Sequence, residues 1–102
     1  VKYLKTINLP KYGIWGMTPN KDPSKFLKVF RGIFKKIVTV PIESNPNFIS
    51  PKSLKNVCKE NNIICDHANG LSQAVKIVSS KESKLICVFG SLYLCGDLLK
   101  NN

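Results

Sequence analysis

An open α/β sheet, mainly parallel and Rossmann-like in layout, with helices on both faces, is the fold this sequence predicts. Three observations lead there. Short apolar runs recur at Tyr12–Met17, Ile37–Val40, Ile63–Cys65 and Leu85–Phe89. Stretches with apolar residues at helical spacing stand between them. The connections are short and the runs nearly continuous in apolar character, as strands covered on both faces are.

Each element has its own local reason. Val1–Ile7, VKYLKTI, reads as a helix. Tyr12–Met17, YGIWGM, is a buried strand, and the turn-rich TPNKDP follows it. Asp22 is an N-cap with Pro23 at the first helical position, where the missing N–H costs nothing. The helix after it carries Phe26, Leu27, Phe30, Ile33 and Phe34 on one face. Ile37–Val40, IVTV, is a β-branched strand stopped by Pro41, and ESNPNFISP is a loop. Ser50 and Pro51 repeat the cap-and-proline start, with Leu54, Val57 and Cys58 on the buried side. Ile63–Cys65 is a brief strand. After Asn69-Gly70 comes a helix with Leu71, Ala74, Val75 and Val78 in register. Leu85–Phe89 is the last strand, and Leu92, Cys95 and Leu99 line a closing helix. Right-handed crossovers are expected throughout.

With 102 residues the chain is one domain, 1–102, large enough for a single core. It opens on Val1 inside a helical stretch, which reads as part of a longer polypeptide. A net charge of +10 suggests an anionic partner. Of the 16 basic residues only Arg31 is arginine, however, and only Lys35 and Lys36 are adjacent. Sites that read phosphates and bases recruit arginine for its planar fork, so nucleic acid is not the expected partner. Lys, Ile and Asn share AT-rich codons, which accounts for much of the charge. Cys58, Cys65, Cys87 and Cys95 sit in helix- and strand-like apolar settings and read as free thiols of a reducing, cytoplasmic compartment. No stretch has the length of a membrane-spanning helix. There is no C-x-x-C pair, and His67 reads as a lone surface histidine, so no metal site is expected.

Open parallel sheets bind ligands in the crevice beyond the carboxyl ends of their strands. Two loops qualify, Thr18–Asp22 and Gly90-Ser91, each leading into a helix start that favours anions. Nucleophilic catalysis by Ser91 is excluded by its neighbours, because Phe89 and Tyr93 stand where a nucleophile elbow needs glycine. Neither the Walker pattern nor G-x-G-x-x-G is present, and no paired carboxylates suggest acid–base work. No catalytic residue is assigned.

Three segments carry a family resemblance. GMTPNKDPSKFLKVF, Gly16–Phe30, resembles the "GM…KD…FL" segment of folylpolyglutamate synthases, a group that includes bifunctional dihydrofolate synthases. IVTVPI, Ile37–Ile42, is similar to the strand that follows there, and LICVFGSLYLCGDLL, Leu85–Leu99, is similar to the closing "GSLYL.GE" motif. The resemblance spans the chain from about Tyr12 onward. It implies a Mur-ligase-type C-terminal domain of an ATP- and magnesium-dependent ligase that activates a folate carboxyl as an acyl phosphate for attack by L-glutamate. Gly90 and Ser91 match the Gly-Ser at the glutamate side of the cleft, and Lys21 and Asp22 match the motif's Lys-Asp. Ser91 is expected to meet substrate or cap its helix, Asp22 to cap, Lys21 to touch phosphate or glutamate or be solvated, and Trp15 and Tyr93 to pack.

The departures matter too. The family's P-loop, carbamylated lysine and magnesium ligands have no counterpart, and neither has the "DG-x-HN" segment with its first strand. Val1–Ile7 would be the helix after that strand. ATP and magnesium would therefore belong to a separate ATP-binding part, in cis or in trans, with no cofactor held tightly by this chain alone. The absent strand would leave a sheet edge for a partner or a second copy. Two other readings are a freestanding basic module for an acidic protein or nucleic acid, and a folded remnant without function.

Overall fold

The structure is a computed structural model that describes residues 6–91, 94, 96 and 97. Its elements are β1 (Lys11–Trp15), α1 (Pro23–Lys28), β2 (Lys36–Thr39), α2 (Pro51–Glu60), β3 (Cys65–His67), α3 (Leu71–Val78) and β4 (Leu85–Phe89). The strands form one sheet in the order β3-β2-β1-β4. All three pairings are parallel, with Ile14 opposite Val38 on one side and Val88 on the other. The expected open parallel α/β sheet is therefore what the chain forms.

Alternation along β1 separates two interiors, because successive side chains point to opposite faces. Ile14, Val38, Val40 and Ile42 pack with Ala68, Leu71, Ala74, Val78 and Leu94. Trp15, Met17 and Ile37 pack with Leu27, Leu54 and Cys58 on the opposite face. The first interior lies under α3 and the second under α1 and α2, so helices cover both faces as expected.

Both proline-led starts form. Asp22 Oδ1 accepts the N–H groups of Ser24 (3.0 Å) and Lys25 (3.4 Å). Ser50 Oγ accepts that of Ser53 at 3.2 Å. Three expectations need correction. The first helix is shorter than its apolar spacing suggests. After Lys28 the bonds tighten to the i→i−3 pattern, as in Phe30 N–H to Leu27 O (2.9 Å) and Arg31 N–H to Lys28 O (3.3 Å). Gly32, with φ at +78°, then turns the chain away.

The third strand starts two residues later than Ile63. Asn62 takes a left-handed φ of 59° after α2. Its N–H reaches Lys59 O (3.1 Å) while Ile63 N–H reaches Cys58 O (2.9 Å). That is a Schellman closure with asparagine in the glycine position, and it spends Ile63 on ending the helix. The third correction is Val75, which is 40% exposed although its helical phase allowed burial. Residues 1–5 of the expected N-terminal helix lie outside the described residues, as do Leu92, Tyr93, Cys95 and Leu99.

Candidate functional site

From β1 the chain crosses to β2 on one side, whereas β4 arrives on the other. The strand order reverses between β1 and β4, and the carboxyl ends of these two strands open the crevice where such sheets bind ligands. The switch point is thus bounded by Gly16 and by Gly90-Ser91.

The packing explains why glycine stands at 90. Gly16 N–H donates to Phe89 O at 3.3 Å, which holds the two strand ends together. Gly90 has φ +107°, and a Cβ there would lie 2.3 Å from Gly16 O and 2.5 Å from Trp15 Cδ1. A side chain would collide with backbone and with a buried ring, so the chain's own packing requires the glycine. Beneath it Trp15 is fully buried, stacked on Phe26 (centroids 6.4 Å) and Phe89 (6.2 Å). Its packing role is as expected, although Nε1 is buried without a hydrogen-bond partner among the described residues. Ser91 is half-buried and follows directly.

Lys21 and Asp22 belong elsewhere by their contacts. Both are exposed. The Asp22 carboxylate is engaged by the helix N–H groups it caps. The first turn of α1 leans on the end of α2, where Asn61 Nδ2 donates to Ser24 Oγ at 3.5 Å. Gly90-Ser91 thus meet the end of β1, while Lys21-Asp22 sit at the α1–α2 seam.

Asp97 escaped the sequence reading. It is 2% exposed, and its Oδ2 accepts the Ser44 N–H at 3.2 Å, tying the loop after β2 to the closing segment. The signal was there in Gly96-Asp97, the acidic step that ends the apolar LICVFGSLYLCGD run. A buried carboxylate must be hydrogen-bonded to be tolerated.

The remaining titratable groups offer no second centre. Burial pushes the Cys58 thiol up to about 12, with the neighbouring Cys65 thiol raising it further. Burial also raises Cys87, with Lys11 opposing. Thiols held protonated are poor nucleophiles. His67 is half-buried rather than a surface residue, and its Nδ1 has no partner among the described residues. No three His, Cys, Asp or Glu side chains come together among those residues. No helix among them is long and apolar enough to cross a membrane.

Residues 10–101 match the family described as dihydrofolate synthetase, C-terminal domain. No curated protein matches the sequence. Three solved structures are similar in fold. A Mycobacterium tuberculosis folylpolyglutamate synthase complexed with ADP and AMPPCP superposes with a TM-score of 0.80 at 16% identity, over 90% of this chain and 23% of that one. E. coli FolC in complex with DHPP and ADP gives 0.82 at 16% identity, over 98% and 24%. The Thermotoga maritima folylpolyglutamate synthase gives 0.75 at 20% identity, over 90% and 21%. At these identities the likeness is one of fold, and the chain spans about a quarter of each solved protein's length.

Proposed function

The chain belongs to the family of dihydrofolate synthetase C-terminal domains, and we propose that it works as the glutamate-side domain of an ATP-dependent ligase joining L-glutamate to a folate. The observation that carries this reading is the family match over residues 10–101, on a sheet whose switch point lies at the Gly-Ser pair of the closing motif. The solved relatives are named for folylpolyglutamate synthesis and bind ADP, AMPPCP or DHPP, which supports ATP and a folate precursor as ligands of the whole enzyme.

The residues of this chain do not fit an ATP or magnesium site. The sequence carries no Walker pattern, and no acidic cluster gathers among the described residues. Activation of the folate carboxyl is therefore assigned to an ATP-binding part outside this sequence. What the chain supplies is a wall for the amino acid. Gly90 leaves no side chain over the end of β1, and Ser91 brings a hydroxyl to the start of the closing helical segment. An amino-acid carboxylate suits such a place, because N–H groups at a helix start favour anions. Lys21 offers a cation for the same ligand or for phosphate. Asp22 serves the fold by capping α1.

The test is reconstitution. A folylpolyglutamate synthase deprived of its own C-terminal domain is mixed with this chain, and ATP-dependent incorporation of labelled glutamate into dihydropteroate is followed. Incorporation that needs both parts is the expected result. An assembled complex that consumes no glutamate would count against the reading.

A further inference from the structure

Lysines scattered along the sequence gather in space. Eight of the 16 basic residues lie on or beside α1 and α2: Lys21, Lys25, Lys28, Arg31, Lys35, Lys52, Lys55 and Lys59. Only Asp22, occupied as a cap, and Glu60 oppose them on these segments.

The geometry along α1 is regular. Phe26, Leu27 and Phe30 turn inward, while Lys25, Lys28 and Arg31 are exposed. The three cations recur at intervals of three residues and form no ion pair among the described residues. Along an α-helix three residues advance about 4.5 Å. From Lys28 on, the i→i−3 bonding lengthens that step to about 6 Å. The tightening that shortened α1 thus keeps its cations in one row, and Lys21 stands ahead of the row.

We infer that Lys25, Lys28 and Arg31, with Lys21 before them, form a rail for the successive carboxylates of an oligo-γ-glutamyl chain. This rests on the ligase reading above and extends it from the incoming glutamate to a tail. A γ-glutamyl chain is a single flexible strand with one free carboxylate about every 6 Å when extended, close to the spacing of the row. Nucleic acid fits the face less well. Its aromatic rings are turned inward and Trp15 is fully buried, so no exposed ring here can stack on a base. Three of the four rail cations are lysines, point charges that hold carboxylates without the planar fork used to read bases.

Fluorescein-labelled penta-γ-glutamate is titrated against the full chain, with polarisation as the readout. Binding should weaken steadily as salt rises. The double variant Lys25→Gln/Lys28→Gln should bind more weakly by a factor on the order of ten. The control double variant Lys76→Gln/Lys81→Gln, on the opposite side of the sheet, should bind like the parent. Circular dichroism confirms that both variants fold. Equal losses in the two double variants would overturn the rail, as would equal binding of α-linked penta-glutamate or tighter binding of a single-stranded oligonucleotide of the same charge. The assay contains no ATP and no second part, so it fails separately from the ligase reading. Intact ligation without tail binding sinks the rail alone, and tail binding without ligation sinks only the functional reading.

Discussion

Ile14 and Trp15 are neighbours on β1, yet they enter two different interiors. The α3 side is aliphatic, built from Ile14, Val38, Val40, Ile42, Leu71, Ala74 and Val78. The α1–α2 side is aromatic, with Phe89 at the centre of a stack that takes in Trp15, Phe26, Phe30 and Phe34. The aromatic side meets the switch point through Trp15 and Gly90, and it wears the cationic row outside. Chemistry-bearing features concentrate on one face, while the other is chiefly packing. Large rings also demand small partners. A Cβ at Gly13 would lie 2.7 Å from the Phe89 ring, so the glycines of β1 and its end accommodate the stack.

The comparison can be broken by truncating those two neighbours. Trp15→Ala should cost about 3–5 kcal/mol and Ile14→Ala about 2–5 kcal/mol in urea unfolding. The wider ring void puts Trp15 at the upper end, and a smaller loss there would deny the aromatic stack its role. Gly90→Ala is next, at about 1–3 kcal/mol, because a left-handed backbone and a clash with Gly16 O coincide. Asp22→Ala removes a cap that receives two N–H groups and should cost about 1 kcal/mol.

Alkaline pH sharpens the same contrast, because Cys58 belongs to the aromatic interior and the buried aliphatic cluster contains no cysteine. Its folded pKa lies above the ordinary 9.0, at about 12. Between those values the unfolded thiol has lost its proton while the folded one keeps it. Its contribution to stability is therefore present below pH 9 and lost as the pH rises toward 12. Cys58→Ala should flatten that decline in thermal melts taken across the range.

Much of this was legible in the sequence for reasons that can be stated. Strand alternation with helical spacing is a local signal, and so are the two caps followed by proline, at Asp22 and Ser50. Closures that depend on geometry were harder to see. Phe30, Ile33 and Phe34 keep helical spacing, yet the chain tightens after Lys28 and turns at Gly32. Asn62 ends α2 through a left-handed residue, which delays β3 by two positions. Gly90 was expected to make room for a ligand, but its nearest neighbours are Trp15 and Gly16, contacts between residues far apart in sequence. The Asp97–Ser44 tie is equally remote. The lysines read as scattered because their convergence depends on how α1 packs beside α2. The pairing of Lys21-Asp22 with Gly90-Ser91 came from the family motif, whereas their contacts put them in two different places.

The central claim is that the crevice between the ends of β1 and β4 receives the amino acid. Ser91→Ala in the reconstituted ligase tests it most directly, through the separate dependence of KM and kcat on glutamate. The account predicts a KM for glutamate raised about tenfold, the equivalent of roughly 1.4 kcal/mol of lost contact, with kcat nearly unchanged. An unchanged KM in a folded, assembled enzyme would contradict it and leave Ser91 to its helix.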